Sequence, residues 1–272
     1  METVAFYSYK GGVGRSQLLA HAARFLAGLG KGVVALDFDF EAPGLHYKLR
    51  GDQTSGSPIF AGGAVPYLLA TADGAESAPP LEDHTIPVPV PANAFGWLRL
   101  MPAGPAPHQT YWAVLKALGD KLRPADPSGR GFMAILDLQA RIQDELKPDY
   151  LLIDARTGVT EIGSLATTIL ADTVVCMFVG NLESLDGTLA IIEALKNAPR
   201  LTHQKPIRVV PVLSRATEVD NNMADSVRTF LGEKDLPLFV LPHDQLAAAE
   251  NLLSSPLFIA YHDLFRELFS PK

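Results

Sequence analysis

A chain of 272 residues, 47% hydrophobic and 19% charged, carries enough apolar side chains to bury a full core; this excludes a disordered chain and fits one large α/β domain spanning residues 1–272. The formal net charge of -7 gives no long-range pull toward nucleic acid or anionic membrane, so direct DNA binding is not expected. A single cysteine, Cys176, excludes an internal disulfide framework, no apolar run approaches the ~20 residues of a membrane span, and no basic segment precedes an apolar stretch at the N-terminus; a cytoplasmic protein is expected.

Along the chain, short apolar runs alternate with helical patterns, the signature of a parallel α/β sheet. In order, the pattern predicts a strand at 3–8, a helix at 16–29, a strand at 32–38, a strand at 97–101, helices at 111–122 and 132–146, and strands at 150–154 and 173–179. A helix at 185–197, a strand at 207–213, a helix at 222–232 and a strand at 238–241 complete the set. Most of the strands are continuously apolar, as strands covered on both faces are. The expected fold is a doubly wound, mostly parallel sheet of about seven strands with helices on both faces. Residues 51–94 interrupt it with a Gly/Pro-rich stretch that includes IPVPVPAN; an irregular excursion is expected, with a short helix at 65–70. Cys176 lies in an apolar strand and reads as a buried strand residue.

The segment FYSYKGGVGRSQLLAHAARFLAGLG reads strand, glycine-rich turn, helix, the context that makes a phosphate-binding loop credible. Gly11, Gly12 and Gly14 allow a close approach of backbone that a Cβ would block. Successive amides around Val13 can then form an anion nest at the start of the helix carrying Gln17, where the helix dipole also favours negative charge. Ser16 is placed to cap that helix and to ligate Mg²⁺ beside the β- and γ-phosphates. Compared with the plain pattern G-x-x-x-x-G-K-[ST], Tyr9 stands at the first glycine and Arg15 at the lysine, with Lys10 as an additional cation. Guanidinium keeps the charge and can grip phosphate bidentately, but it is bulkier than an ammonium.

Two further acidic motifs end apolar strands. LDFDFEAPGL carries Asp37 and Asp39, and DYLLIDARTG carries Asp154. Carboxylates at the carboxyl ends of strands beside a phosphate loop can hold a Mg²⁺-bound or attacking water. For Arg156, contact with phosphate or a partner and a surface salt bridge are equally open. VVPVLSRAT and FVLPHDQLAAAE place Ser214, Arg215, Pro242 and His243 at two later strand ends. In a doubly wound sheet both strand ends would face the same crevice.

Together KGGVGRS, the D-x-D at 37–39 and the strand ending in Asp154 resemble the ParA/MinD family of ATPases, whose deviant Walker A motif reads K-G-G-x-G-K-[ST]. The resemblance implies ATP and Mg²⁺ as cofactors, with Ser16, Asp37, Asp39 and Asp154 around the metal and the strand ends at Ser214, Arg215, Pro242 and His243 bordering the nucleotide base. It further implies that Asp39 positions the hydrolytic water, that Arg15 takes the place of the phosphate-gripping lysine, and that Lys10 reaches the partner's nucleotide in an ATP-sandwiched homodimer acting on a protein partner. The alternatives are an ATP-binding scaffold with negligible turnover and a metabolic P-loop ligase of related fold, whose substrate pocket the 51–94 stretch could supply. Near the C-terminus, Leu257, Tyr261, Leu264, Phe265 and Leu268 fall on one helical face. With Arg266 as the only cation within that segment, docking on the domain or a partner is favoured over membrane binding.

Overall fold

The structure, a computed structural model, describes residues 1–270 apart from 51–61, 75–77, 93, 106–108, 123–128, 159–163, 199, 201–203, 218–223, 226, 229–230, 232–236 and 245–255. Among the described residues, eight strands form one sheet: β1 (Glu2–Ser8), β2 (Gly32–Phe38), β3 (Ile86–Val88), β4 (Trp97–Met101), β5 (Tyr150–Ala155), β6 (Thr173–Phe178), β7 (Arg208–Ala216) and β8 (Phe239–Pro242). Their lateral order is β3-β4-β2-β5-β1-β6-β7-β8. All neighbours run parallel except β3, which pairs antiparallel with β4.

β1 sits between β5 and β6, so chain order reverses around it. In a doubly wound sheet that reversal opens a crevice at the carboxyl ends of the strands. Period-two alternation along β1 sends Val4 and Phe6 into one apolar cluster and Ala5 and Tyr7 into another, which is how a strand feeds cores on both faces.

Helix α1 (Arg15–Gly28) buries Leu18, Leu19, Ala22, Ala23 and Leu26 on one of those faces. It shares the face with α2 (Leu45–Arg50) and the C-terminal helix. The other face takes α3 (Ala64–Ala72), α5 (Gln109–Lys121), α6 (Arg130–Arg141) and α7 (Leu182–Lys196). A short turn, α4 (Leu81–His84), leads into β3, and a π-helical turn at Ile142–Leu146 continues α6. The last helix, α8 (Pro256–Phe269), buries Leu257, Tyr261, Leu264, Phe265 and Leu268, the face expected to dock.

The short helix expected at 65–70 is α3, with Tyr67 and Leu68 fully buried; the same stretch also carries the eighth strand, β3, which the sequence pattern does not predict. Pro87 lies within that strand, opposite Arg99; proline is compatible with a sheet edge because the outward N–H has no ladder partner to lose. The helix expected at 222–232 lies largely outside the described residues. Among the described residues, no helix is long and apolar enough to cross a membrane.

Candidate functional site: a glycine loop and three strand-end carboxylates

The glycine loop leaves β1 at Ser8 and turns through Gly12 (φ 78°) and Gly14 (φ 89°) into α1. Both angles lie in the left-handed region that favours glycine. An added Cβ at Gly11, Gly12 or Gly14 would meet no atom within 4 Å; the cradle is open on that side. Gly14 is the N-cap of α1 and no side chain caps the helix. Ser16 therefore does not cap it, contrary to expectation. As the second residue of α1 it lies by Asp154, where its hydroxyl helps hold the Asp154 carboxyl down against burial.

The loop is fastened on two flanks. Ser214 Oγ donates to the Val13 carbonyl at 2.7 Å, and Arg215 Nη1 donates to the Gly12 carbonyl at 3.0 Å. Arg215 itself adopts φ 55°. On the other flank the Tyr9 ring lies against α7 where Gly187 leaves room for it; any side chain at 187 would collide with the ring. Lys10 extends from the loop edge, 5.5 Å over the Tyr9 ring, and pairs with Glu183 in the first turn of α7 at 2.5 Å. The hydrogen bond to Glu183 holds the Lys10 ammonium above its ordinary pKa. Glu183 and Gly187 had no signal in the sequence, because only the fold brings α7 beside the loop.

Asp37 and Asp154 are register partners on the adjacent strands β2 and β5, and both are buried. Asp37 was expected among the metal ligands. Instead, its Oδ1 accepts from the Asp39 amide at 3.2 Å, and its Oδ2 accepts from the amides of Gly44 and Leu45 at 3.2 and 3.1 Å. Both oxygens help fold the loop that leads into α2. Burial and the nearby Asp154 push the Asp37 carboxyl well above the usual range, against the pull of those amides.

Arg15 is buried and turned toward the acids. Its Nε donates to Asp154 Oδ1 at 2.5 Å and its Nη2 to Asp39 Oδ2 at 2.7 Å. Burial alone would lower the guanidinium; Asp154 and Asp39 hold it above its ordinary value. Burial also raises Asp154, which Arg15 and Ser16 counteract. Among the described residues, the third arm of the fork, Nη1, is buried without a hydrogen-bond partner, as are the Tyr7 hydroxyl and Ser8 Oγ behind the loop. Arg156 pairs with Glu41. Gly158 turns at φ 75° and its amide donates to the Ser8 carbonyl at 3.3 Å.

Beside the loop opens a cleft of about 580 Å³, bordered by Gly12, Gly14, Gln17, Ser214, Pro242 and His243. The two strand ends expected to border a base thus meet at the glycine loop, tied together by the bond from the His243 amide to the Ala216 carbonyl at 2.8 Å. Lys48 and Tyr261 also line the cleft; Tyr261 was legible only as a core residue of its helix.

Ser16, Asp154 and Asp39 present hard oxygen donors beside an anion nest, a set that suits Mg²⁺ held jointly with phosphate. A positively charged group already stands between the two carboxylates, which is the position a divalent cation's charge would serve. The residues present therefore fit the metal.

The sequence profile described as the CobQ/CobB/MinD/ParA nucleotide binding domain matches residues 4–254. No curated protein matches. Among solved structures, the chain is similar to the septum site-determining protein MinD of Pyrococcus horikoshii in complex with Mg-ADP, at 20% identity over 99% of this chain and 96% of that one, TM-score 0.68. It is similar to a Cyanothece McdA variant in complex with ATP, at 18% identity over 100% and 97%, TM-score 0.67. It is also similar to cobyrinic acid a,c-diamide synthase of Mycobacterium smegmatis with bound ADP and magnesium, at 16% identity over 100% and 97%, TM-score 0.66. At these identities the likenesses establish the fold.

Proposed function

Because the chain belongs to the CobQ/CobB/MinD/ParA nucleotide-binding family, we propose that it is an ATP- and Mg²⁺-dependent switch that hydrolyses ATP slowly, dimerises around it and so controls a protein partner. The observation that carries this reading is the meeting of the glycine loop, Ser16, Asp39 and Asp154 in one crevice, at the carboxyl ends of β1, β2 and β5. The amides around Gly12 and Gly14 bind the phosphates at the start of α1. The base lies in the cleft bordered by Gln17, Ser214, Arg215, Pro242 and His243. Ser16 and, through water, Asp154 are the residues that would hold Mg²⁺, which would supply positive charge against the nucleotide phosphates.

Asp39 accepts a proton-side hydrogen bond from the attacking water and orients it. Lys10, at the exposed edge of the loop, leaves Glu183 to meet the nucleotide of the opposite subunit. A cation delivered in trans to developing phosphate charge can be worth about 10³–10⁵ in rate. Support for the switch over a metabolic ligase comes from Lys10 lying at the exposed edge of the loop, outside its own nest and paired with Glu183, from which it can be recruited by a second subunit. A scaffold with negligible turnover is the second reading, favoured by the grip of Arg15 on the two carboxylates that turnover requires.

The test is light scattering of Asp39→Ala, which blocks hydrolysis, with and without Lys10→Ala. ATP should convert the first protein to a dimer and leave the double variant monomeric with ATP bound. An Asp39→Ala protein that stays monomeric with saturating ATP rules out the sandwich. Measurable turnover by the wild type, stimulated by a partner, separates the switch from the scaffold.

A further inference from the structure

We propose that Arg15 is a built-in stand-in for the metal: it closes the Asp154–Asp39 pair to free divalent cations and releases it only when nucleotide phosphate offers the guanidinium another anion. This deepens the nucleotide-switch reading and rests on it. The geometry is specific. One planar fork serves two buried carboxylates at once, Nε on Asp154 at 2.5 Å and Nη2 on Asp39 at 2.7 Å, and a third carboxylate, Asp37, stands in register with Asp154 on the next strand. A lysine ammonium is a compact point charge without that fixed two-pronged geometry. The exchange of lysine for arginine therefore changes what the residue can hold in the empty state.

The same contacts conflict with metal entry. Ser16 and Arg15 converge on one carboxylate, Asp154. A Mg²⁺ taking that position would face a guanidinium directly, and it gives up its hydration shell reluctantly, usually binding through one or two carboxylates together with substrate phosphates. With Arg15 in place, the local charge is already balanced and a free cation gains little. Phosphate in the nest changes the balance: Arg15 is the first residue of α1, next to Gly14, so a rotation of its side chain exchanges carboxylate for phosphate. Nη1, which has no hydrogen-bond partner among the described residues, is not held by the acids. Metal and nucleotide then bind as a pair, each helping the other.

The experiment uses the full chain with Mn²⁺ as the probe, read by electron paramagnetic resonance. Wild type without nucleotide should show no saturable site at millimolar Mn²⁺, and a non-hydrolysable ATP analogue should tighten Mn²⁺ at least tenfold. Arg15→Ala, checked for folding by circular dichroism, should bind Mn²⁺ at least tenfold more tightly than wild type in the absence of nucleotide, and Asp154→Asn in that background should abolish the site. If Arg15→Ala does not fold, Arg15→Lys takes its place, with an intermediate Mn²⁺ affinity expected. Saturable Mn²⁺ binding to nucleotide-free wild type, as tight as with the analogue, overturns the proposal, as does a folded Arg15→Ala or Arg15→Lys that binds no better than wild type. Calorimetry of wild type with Mg·ATP separates the two readings: failure to bind there sinks the nucleotide reading, whereas ATP binding with an open metal site sinks only the role of Arg15.

Discussion

Asp37 and Asp154 stand in register on neighbouring parallel strands, and they do different work. Asp154 faces Arg15 and Ser16, whereas Asp37 accepts three backbone amides of the loop that follows its own strand. Asp37→Asn keeps an oxygen for the amides of Gly44 and Leu45 and removes a like charge from beside Asp154. Asp37→Ala removes every acceptor and leaves buried N–H groups unpaired. The alanine variant should lose about 2–3 kcal/mol in urea unfolding and the asparagine variant less than about 1 kcal/mol. Nucleotide affinity of Asp37→Asn should stay within threefold of wild type by calorimetry; loss of Mg·ATP binding would return Asp37 to the metal ligands.

The pairing of Lys10 with Glu183 ties the loop edge to α7. Under the proposed function, the lysine must leave this pair before it can cross to a second subunit. Glu183→Gln removes the competing charge and should favour ATP-driven dimerisation, seen as a dimer forming at lower protein concentration in light scattering. The gap between wild type and variant should narrow as salt is raised, since both partners are solvent-exposed and screened. A variant that dimerises less readily would mean that Glu183 belongs to the dimer contact itself.

Gly187 is the reverse case, a position whose constraint is steric. Its lack of a side chain lets the Tyr9 ring lie on α7. Gly187→Ala gains helix propensity but drives a methyl into that ring, so the ring and the loop edge must move. Overpacking of this kind costs about 1–3 kcal/mol, and here the displaced segment carries Lys10 and the glycines. Thermal unfolding should fall and ATP affinity should drop at least several-fold. Pairing with Tyr9→Ala, which removes the clash, should recover most of the stability.

Sequence periodicity located seven strands because each is continuously apolar or nearly so, and burial on both faces is the cause of that pattern. It missed β3, where alternating prolines mask a three-residue edge strand. The glycine loop, Ser16 and Asp154 were legible because glycine geometry and strand-end acids leave local marks. The helical face Leu257, Tyr261, Leu264, Phe265 and Leu268 was legible for the same reason, as a 3.6-residue period. What local pattern could not carry was the direction of Arg15. Whether a guanidinium meets phosphate or carboxylate depends on strands β2 and β5 converging on α1, which is a tertiary relationship. The amide contacts of Asp37 are hidden for a related reason: its partners are backbone N–H groups, which have no identity in sequence.

His21 carries a pH dependence whose sign the geometry fixes. It lies one turn after Gln17 on α1, and its Nε2 is 2.8 Å from Gln17 Nε2. An amide N–H₂ can only donate, so Nε2 of the ring is the acceptor and the neutral tautomer carries its proton on Nδ1. The ring packs against Tyr261 at 5.2 Å between centroids. Burial, with the positive charge of Arg24 second, pushes its pKa down from 6.5 to about 4. Below pH 6.5 the unfolded chain takes up a proton that the folded chain refuses. Stability is therefore fully present above about pH 6.5, is lost as pH falls toward 4, and changes no further below that from this group. Between pH 7.5 and pH 5 the loss amounts to about 2 kcal/mol. Other groups titrate over the same interval, so the measurement is the difference between wild type and His21→Gln in urea unfolding at the two pH values. The glutamine variant should be the less pH-sensitive protein by about 2 kcal/mol, even if its stability at pH 7.5 is lower. Equal losses in the two proteins would mean that His21 is free to protonate in the fold and that its contact with Gln17 opens in solution.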